Sequence, residues 1–252
     1  MMKIFLSVFL ICISQFVFAF GDLGHKMVAK AAWQQLTPYA KQNIERILGV
    51  GESAFVEASV WADEIKSNED FNYLKSLHYV NMPKAAKQYD AKRDCKKDRC
   101  VVAAIHEFSG YAKRGSDKEK VLALKMLIHL IADVHQPLHA GLYEDRGGNW
   151  YEVKYQDQSV SLHKLWDQQM VERFDESLDS GAHKLVLNEV PVSLDSPKSW
   201  AEESHGITVD FVYQARENYA VTDEYLEQAD KIMATQLSRG AWRLAMWLNQ
   251  LW

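Results

Sequence analysis

The segment 129–139, HLIADVHQPLH, constrains the fold of this chain more than any other. His129 and Asp133 are four residues apart, so on a helix they share one face, a spacing typical of metal ligands. At about 100° per residue, His139 would point well away from that face on an unbroken helix. Pro137 lacks a backbone donor and clashes with the carbonyl four residues earlier, so we expect the helix to kink or end there. His139 can then approach the same metal centre.

Further candidate ligands are spread along the chain. His163 and Asp167, in LHKLWDQQ, repeat the four-residue spacing. Asp63 lies in SVWADEIKS, His78 in SLHYVNMP, and His25 in GDLGH near the start of the chain. A single such pair is usually a surface feature, but their joint occurrence predicts a metal centre.

The donor types indicate which metal this centre binds. Imidazole nitrogen together with carboxylate oxygen suits zinc, whereas calcium and magnesium prefer oxygen alone. Two competing patterns are incomplete: HEFSG at His106 lacks the second histidine of a metalloprotease helix, and EESH at Glu202 is a single Glu-x-x-His where a di-iron bundle needs two. The sequence therefore favours zinc.

Residues 1–19 are interpreted as a secretory signal peptide, because Lys3 precedes an apolar run over residues 4–13 and Ala19 stands at the expected cleavage position. The run is too short to span a bilayer, and no later segment reaches about 18 uninterrupted apolar residues. We expect cleavage before Phe20 and a secreted or periplasmic protein without a membrane anchor. Residues 20–252 contain no linker, so we expect one domain.

The remaining cysteines and the charge limit the function. Cys12 is removed with the signal, leaving Cys95 and Cys100 in CKKDRC, for which an oxidising compartment favours a disulfide over two free thiols. The mature chain has 28 basic and 34 acidic side chains, a net charge of −6. This balance argues against simple electrostatic binding of nucleic acid.

Helical periodicity dominates the chain, in residues 26–48, 118–134 and 223–251. The best strand signal is NWYEVKYQDQSVSL, with a hairpin turn expected around Gln156 to Gln158. The segment 181–197, with Pro191 and Pro197 near its end, reads as an irregular connection. The pattern predicts a mainly α fold, a single compact helical domain with a small β-hairpin.

In order along the chain stand GDLGH, WADEIK, LHYVN, HLIADVHQPLH, DRGGN and LHKLWD. In this combination the sequence resembles the single-strand-specific zinc nucleases of the S1/P1 type, which share a helical fold with zinc-dependent bacterial phospholipase C. The resemblance covers nearly the whole mature chain. It implies a phospholipase C/nuclease-like fold and three bound zinc ions.

The resemblance also implies how the zinc ions are held. One set is Asp63, His78, His129 and Asp133, a second is His139, His163 and Asp167, and a third is Phe20, His25 and Asp133. Phe20 would contribute the free α-amine and carbonyl oxygen of the first mature residue. The family commonly has tryptophan there, but the ligand atoms belong to the backbone, so the substitution leaves the implied site intact.

Catalytic and substrate-binding roles are implied in the same way. Asp63 would orient the attacking water, and Lys66 would face the phosphate, although an ordinary exposed lysine is an equally open interpretation. Tyr79 would stack on a base, with Asn149 nearby. The family often has aspartate where Asn81 stands, and asparagine also donates hydrogen bonds. A purine preference therefore does not carry over.

The implied activity is hydrolysis of single-stranded DNA and RNA to 5′-phosphorylated products by a monomeric enzyme, with 3′-nucleotides as further substrates. Two alternatives stay open at this point. A phospholipase C would use the same fold on lipid, and a zinc-scavenging protein would keep the ligands without needing Lys66 or Tyr79.

Overall fold

The computed structural model describes residues 20–252, and the predicted signal peptide, residues 1–19, lies outside the described residues. Within 20–252 the chain forms twelve α-helical segments and a single two-stranded sheet. The α-helices are α1 Gly21–Gln34, α2 Pro38–Leu48, α3 Glu52–Ala58, α4 Trp61–Glu64, α5 Ala91–Asp94, α6 Val101–Arg114, α7 Asp117–Asp133, α8 Leu162–Lys164, α9 Met170–Phe174, α10 Leu178–Leu187, α11 Pro197–Asp210 and α12 Asp223–Leu251. The strands are β1 Glu152–Tyr155 and β2 Gln158–Ser161. The predicted mainly α fold is confirmed.

Shorter helical turns connect these elements. The 3₁₀ helices are Ile65–Ser67, Glu69–His78, Lys96–Asp98, Pro137–Ala140 and Val212–Gln214, and a π-helical turn covers Leu165–Gln169. Among residues 20–252, none of the helices combines the length and the apolar character needed to cross a bilayer. Cys95 and Cys100 form a disulfide, which confirms that prediction.

Two predicted helices appear with nearly the expected bounds, α7 for residues 118–134 and α12 for residues 223–251. Local chemistry determines where α7 begins, because the Glu119 carboxylate accepts the backbone N–H of Ser116 at 2.7 Å. Thr222 caps α12 by accepting the N–H of Tyr225. Both helices line the core: the second half of α7 is buried almost without interruption.

The prediction of continuous helix over residues 26–48 is wrong, because the chain forms α1 and α2 with a break at Thr37. The residue before a proline is driven away from helical dihedrals, and Thr37 is extended, with φ −63° and ψ 154°. Pro38 then occupies the first turn of α2, where its missing donor costs nothing, and Thr37 accepts the N–H of Ala40. Apolar periodicity continues across this break, so periodicity alone does not reveal it.

The prediction of an irregular segment over residues 181–197 is also wrong in its first part. Helix α10 continues to Leu187, and only 188–196 is irregular before Pro197 begins α11. Gly181 allows this helix to pack closely, because a Cβ there would lie 2.5 Å from Met27 Cε on α1. Tertiary packing therefore supports a helix that the local sequence signals only weakly.

The predicted hairpin is confirmed. β1 and β2 pair antiparallel with Glu152 opposite Ser161 and Tyr155 opposite Gln158. Gln156 and Asp157 form the connection, both with positive φ (48° and 62°), as a two-residue hairpin turn with a right-handed twist requires. The hairpin is continued by Ala220, whose backbone bridges to Lys154.

A buried polar network joins α7, α11 and α12 behind the core. Arg243 is 3% exposed and donates to His135 Nε2 at 2.9 Å and to both carboxylate oxygens of Glu203. His135 donates its Nδ1 hydrogen to the carbonyl of Ile131. Burial and the facing guanidinium lower the pKa of His135 to about 3, so the ring is neutral and accepts from Arg243.

We predict that Arg243→Ala lowers the free energy of unfolding by about 3 kcal/mol, because it leaves His135 Nε2 buried without a donor and removes a buried charge partner. Arg173→Ala is the matched control: Arg173 also forms a paired contact with Asp230, but at the surface, and should cost less than about 1 kcal/mol. Urea unfolding of both variants measures the difference, and equal losses would contradict the assigned role of the buried network.

Candidate metal centre

The last turn of α7 forms the centre of the site. His129 and Asp133 are fully buried, and His129 Nε2 lies 3.3 Å from Asp133 Oδ2. The helix ends at Asp133, and the chain turns into the 3₁₀ helix Pro137–Ala140. This break directs His139 back, with its Nδ1 3.8 Å from Asp133 Oδ1.

Three other segments bring ligand candidates to this point. His25 on α1 lies 3.3 Å from Asp133 Oδ1, through its Nε2. His78, at the end of the 3₁₀ helix Glu69–His78, places Nδ1 2.9 Å from Asp133 Oδ2. Asp63 on α4 lies 3.4 Å from His129 Nε2. The structure therefore gathers residues from α1, α4 and α7 around a single buried carboxylate.

The second four-residue pair lies beside the first. His163 on α8 and Asp167 in the π-helical turn have Nε2 and Oδ2 3.1 Å apart. The His139 and His163 rings stack with centroids 5.2 Å apart. All eight side chains predicted as ligands are buried, and we call them the ligand cluster: His25, Asp63, His78, His129, Asp133, His139, His163 and Asp167.

Within residues 20–252, three subsets of the ligand cluster are close enough to hold a metal ion, with ligand atoms within 4.8 Å of one another. They are His25, Asp63 and His129; His78, His129 and Asp133; and His139, His163 and Asp167. The third matches a predicted set. The second lies within the predicted set of Asp63, His78, His129 and Asp133. Only the first combines members of two predicted sets, because His25 faces Asp63 and His129 as well as Asp133.

Backbone carbonyls orient three of the imidazoles. His129, His139 and His163 place Nδ1 2.6–2.7 Å from the carbonyls of Ser59, His78 and Gly147. A carbonyl only accepts, so each Nδ1 carries a hydrogen and each Nε2 is the nitrogen directed into the cluster. This is the arrangement by which proteins commonly orient histidine ligands of metals.

His25 and His78 differ from this pattern. His78 directs Nδ1 rather than Nε2 toward Asp133, and its Nε2 is buried without a hydrogen-bond partner. His25 stacks on His129 with ring centroids 3.9 Å apart, and its Nδ1 also lacks a hydrogen-bond partner. Buried polar atoms without partners are uncommon in proteins, and a bound cation would account for them.

The electrostatics of the cluster favour positive charge at its centre. Burial alone would lower the pKa of His129, but Asp133 and Asp63 outweigh it and raise that pKa to about 10. Burial alone would raise the pKa of Asp133, but His129 and His139 hold it well below its usual range. Ionised carboxylates together with imidazole nitrogens directed into the cluster fit zinc, which accepts both donor types.

Phe20 begins the described chain directly beside the cluster. Its side chain is fully buried, its φ is +47°, and its ring lies 6.4 Å from that of His25 in an edge-on contact. Gly24 makes room for it, because a Cβ there would lie 2.8 Å from Phe20 Cβ. The first turn of α1 is thus tightly packed where the resemblance implies the third metal.

Two contacts at the site were not predicted from the sequence. Gln136 is fully buried and donates to Asp167 Oδ1, while its own Oε1 accepts the N–H of Leu138. Lys66 forms an ion pair with Asp63, one helical turn away, and its side chain is 15% exposed. Gln136 lies within the segment HLIADVHQPLH, and this position indicates that it is near the site. Nothing in the sequence indicates that its partner is Asp167, thirty-one residues later.

An open cleft of about 1480 Å³ reaches the cluster from solvent. Its lining includes Lys66, His78, His139, His163 and Asp167. The three residues predicted to bind substrate also line it: Tyr79, Asn81 and Asn149. Tyr79 is 43% exposed, so its ring is accessible to a ligand.

The DRGGN turn connects the cleft to the cluster. Gly147, with φ +65°, supplies the carbonyl that orients His163. A Cβ on Gly147 would lie 2.6 Å from the carbonyl oxygen of Leu138, so no side chain fits there. Asp145 holds the turn closed by accepting the Gly148 N–H and the Tyr213 hydroxyl.

Comparison with known proteins gives a consistent result. The family described as S1/P1 Nuclease matches residues 20–252. Endonuclease 3 of Arabidopsis thaliana is 29% identical, over 92% of this chain and 88% of its own length. Endonuclease 2 of the same plant is 28% identical, over 98% and 95%, and Nuclease S1 of Aspergillus oryzae is 25% identical, over 95% and 94%.

We predict that Gly147→Ala destabilises the zinc-loaded protein by about 2 kcal/mol or more and weakens zinc retention, because the turn must shift and His163 loses its orienting carbonyl. Gly206→Ala is the matched control, since a Cβ there meets nothing within 4 Å and alanine favours helix. Thermal unfolding and zinc content after dialysis measure both effects. Indistinguishable behaviour of the two variants would show that the turn does not support the site.

Proposed function

Because this chain belongs to the S1/P1 nuclease family, we infer that it is a zinc-dependent endonuclease that cuts single-stranded nucleic acid. The observation that carries this inference is the buried ligand cluster, which opens into a cleft flanked by an exposed aromatic side chain and a lysine. A zinc-scavenging protein would need the cluster but not the cleft.

The proposed site holds three zinc ions. Asp63, His78, His129 and Asp133 hold one, His139, His163 and Asp167 hold another, and the α-amine and carbonyl of Phe20 hold the last with His25 and Asp133. Support comes from the burial of Phe20 beside His25 and from the contact of Asp133 with several imidazoles. When bound, zinc supplies Lewis acidity and lowers the pKa of coordinated water, which makes a nucleophile available near neutral pH.

The side chains of this chain have separate roles in hydrolysis. Asp63 orients the water that attacks phosphorus in line with the leaving 3′ oxygen. Lys66, now paired with Asp63, lies at the cleft and is close enough to exchange part of this contact for a phosphate oxygen as negative charge develops. Although burial favours its neutral acid, His129 and Lys66 lower the pKa of Asp63, so it is ionised and accepts a hydrogen bond from water.

Substrate recognition is proposed to rest on Tyr79, Asn81 and Asn149. A base stacks on the exposed Tyr79 ring, which tolerates every base because all have a π face. Asn81 and Asn149 contribute amide groups at the cleft that both donate and accept hydrogen bonds. The substrates are single-stranded DNA, RNA and 3′-nucleotides, and the nucleic acids yield 5′-phosphorylated products.

We further propose that residues 1–19 are a signal peptide and that residues 20–252 are one exported nuclease domain that acts as a monomer. The disulfide between Cys95 and Cys100 supports an oxidising destination, outside the cell or in a periplasm. Cleavage before Phe20 would convert its amide nitrogen into an amine with a lone pair able to bind metal.

The activity prediction uses the mature chain loaded with zinc. Single-stranded DNA and RNA should be cut, the matching duplex should be cut far more slowly, and 3′-nucleotides should be dephosphorylated. Asp133→Asn should lose at least about a hundredfold in kcat/KM, because it removes the central buried charge. Asp230→Asn, at a surface ion pair, is the control and should retain activity. Hydrolysis of phosphatidylcholine without nuclease activity would instead identify a phospholipase C.

The N-terminal prediction compares two mature proteins, one beginning at Phe20 and one with a single alanine added ahead of it. An amide nitrogen has no basic lone pair, so the extended protein should bind about one zinc ion fewer and lose most of its activity. A protein with one alanine added after Trp252 controls for chain length. Equal zinc content in all three would refute the role of the Phe20 amine.

A further inference from the structure

The exposed indole of Trp150 has no role in the site described so far. Trp150 is 60% exposed, one of the most exposed large hydrophobic side chains among residues 20–252, and it lines the same cleft as the ligand cluster. A large apolar area of its side chain is therefore in contact with water. Its place in the cleft suggests that a ligand covers it.

Arg146 supports Trp150 from one side. Its guanidinium carbon lies 4.3 Å from the centre of the indole ring, a cation–π contact, and Arg146 is itself exposed and lines the cleft. The plane of a guanidinium and the face of an indole both stack on nucleobases, and the charge also attracts phosphate. The pair therefore offers a stacking surface for a base and a positive charge for a phosphate.

The position of this pair is fixed relative to the ligand cluster. Arg146 and Trp150 flank the glycines of the DRGGN turn, whose Gly147 carbonyl orients His163. The backbone N–H of Trp150 donates to the Asp145 carbonyl at 3.1 Å, and the Asn149 side-chain amide donates to the Arg146 carbonyl at 2.8 Å. Tyr79, in contrast, directly follows His78 in the chain. The two exposed rings are therefore attached to different ligands of the cluster.

We propose that Trp150, backed by Arg146, is a second base-stacking platform, which binds a base of the same strand adjacent to the base at Tyr79. This inference rests on the proposed nuclease function and deepens it. In a duplex both faces of each base are covered by neighbouring bases, so a platform of this kind accepts only an unpaired base. Lys75 and Lys164 also line the cleft and can contact phosphates of the bound strand, alongside the carboxylates of Asp22, Glu152 and Glu172.

The test exploits the difference between a substrate that fills both platforms and one that fills only the first. Trp150→Ala should raise KM about tenfold for a single-stranded oligothymidylate but leave KM for a 3′-nucleotide unchanged. Trp150→Phe keeps an aromatic face and should restore the oligonucleotide KM. Tyr39→Ala is the control, since Tyr39 is 59% exposed on α2 and does not line the cleft.

A second readout does not depend on turnover. Rapid mixing of the zinc-loaded protein with oligothymidylate should quench tryptophan fluorescence before cleavage, and the quench should be lost in both Trp150→Phe and Trp150→Ala. Unchanged KM in Trp150→Ala, equal losses on both substrates, or a quench that survives in Trp150→Phe would each overturn the proposal. A wild-type protein that shows the quench but cuts nothing would refute the proposed hydrolysis while supporting the platform.

Discussion

The buried carboxylate of Asp133 is the interaction on which the rest of this structure depends. Its two oxygens lie 2.9–3.3 Å from nitrogens of His25, His78 and His129. An ionised carboxylate without compensating charge is very costly in a protein interior. The contacts come from α1, from the 3₁₀ helix before Tyr79 and from α7, so segments more than one hundred residues apart must meet there for the fold to be stable. A cation in the cluster would then tie these segments together, and its binding free energy would contribute to folding.

The orientation of the imidazoles comes from the backbone of irregular segments. Ser59, His78 and Gly147 offer carbonyls that are not used in regular helices or strands, and each accepts from one histidine. Such carbonyls are available because helices end nearby: α3 at Ala58, the 3₁₀ helix at His78, and the DRGGN turn before β1. The loops around the site therefore serve as hydrogen-bond acceptors as well as connections, and one of the acceptors, Gly147, has a positive φ.

The sequence indicated which side chains gather at the centre of the site better than it indicated their surroundings. The four-residue spacings and Pro137 depend on local geometry, and the structure gathers all eight side chains. The helix break at Thr37 was missed because apolar periodicity continues through it, and α10 was missed because its stability comes from packing on α1 rather than from local propensity. Gln136, the acceptor carbonyls and the exposed Trp150–Arg146 pair depend on contacts between distant segments, which no single stretch of sequence specifies. Which side chains would share a metal also depends on contacts between distant segments, since His25 lies between Asp63, His129 and Asp133.

The site separates two tasks by burial. The ligand cluster is buried and closely packed, and backbone carbonyls orient three of its imidazoles, so the chemistry it supports is sensitive to small displacements. The rings of Tyr79 and Trp150, by contrast, are exposed to solvent. Their backbone is held by the hydrogen bond from Val80 N–H to the His139 carbonyl and by the Asp145 contacts of the DRGGN turn. In the proposed function, a base would bind or leave either ring without displacing the side chains of the ligand cluster. In the proposed nuclease, this separation would let the chain bind strands of any sequence while the reacting phosphate meets the same arrangement of side chains.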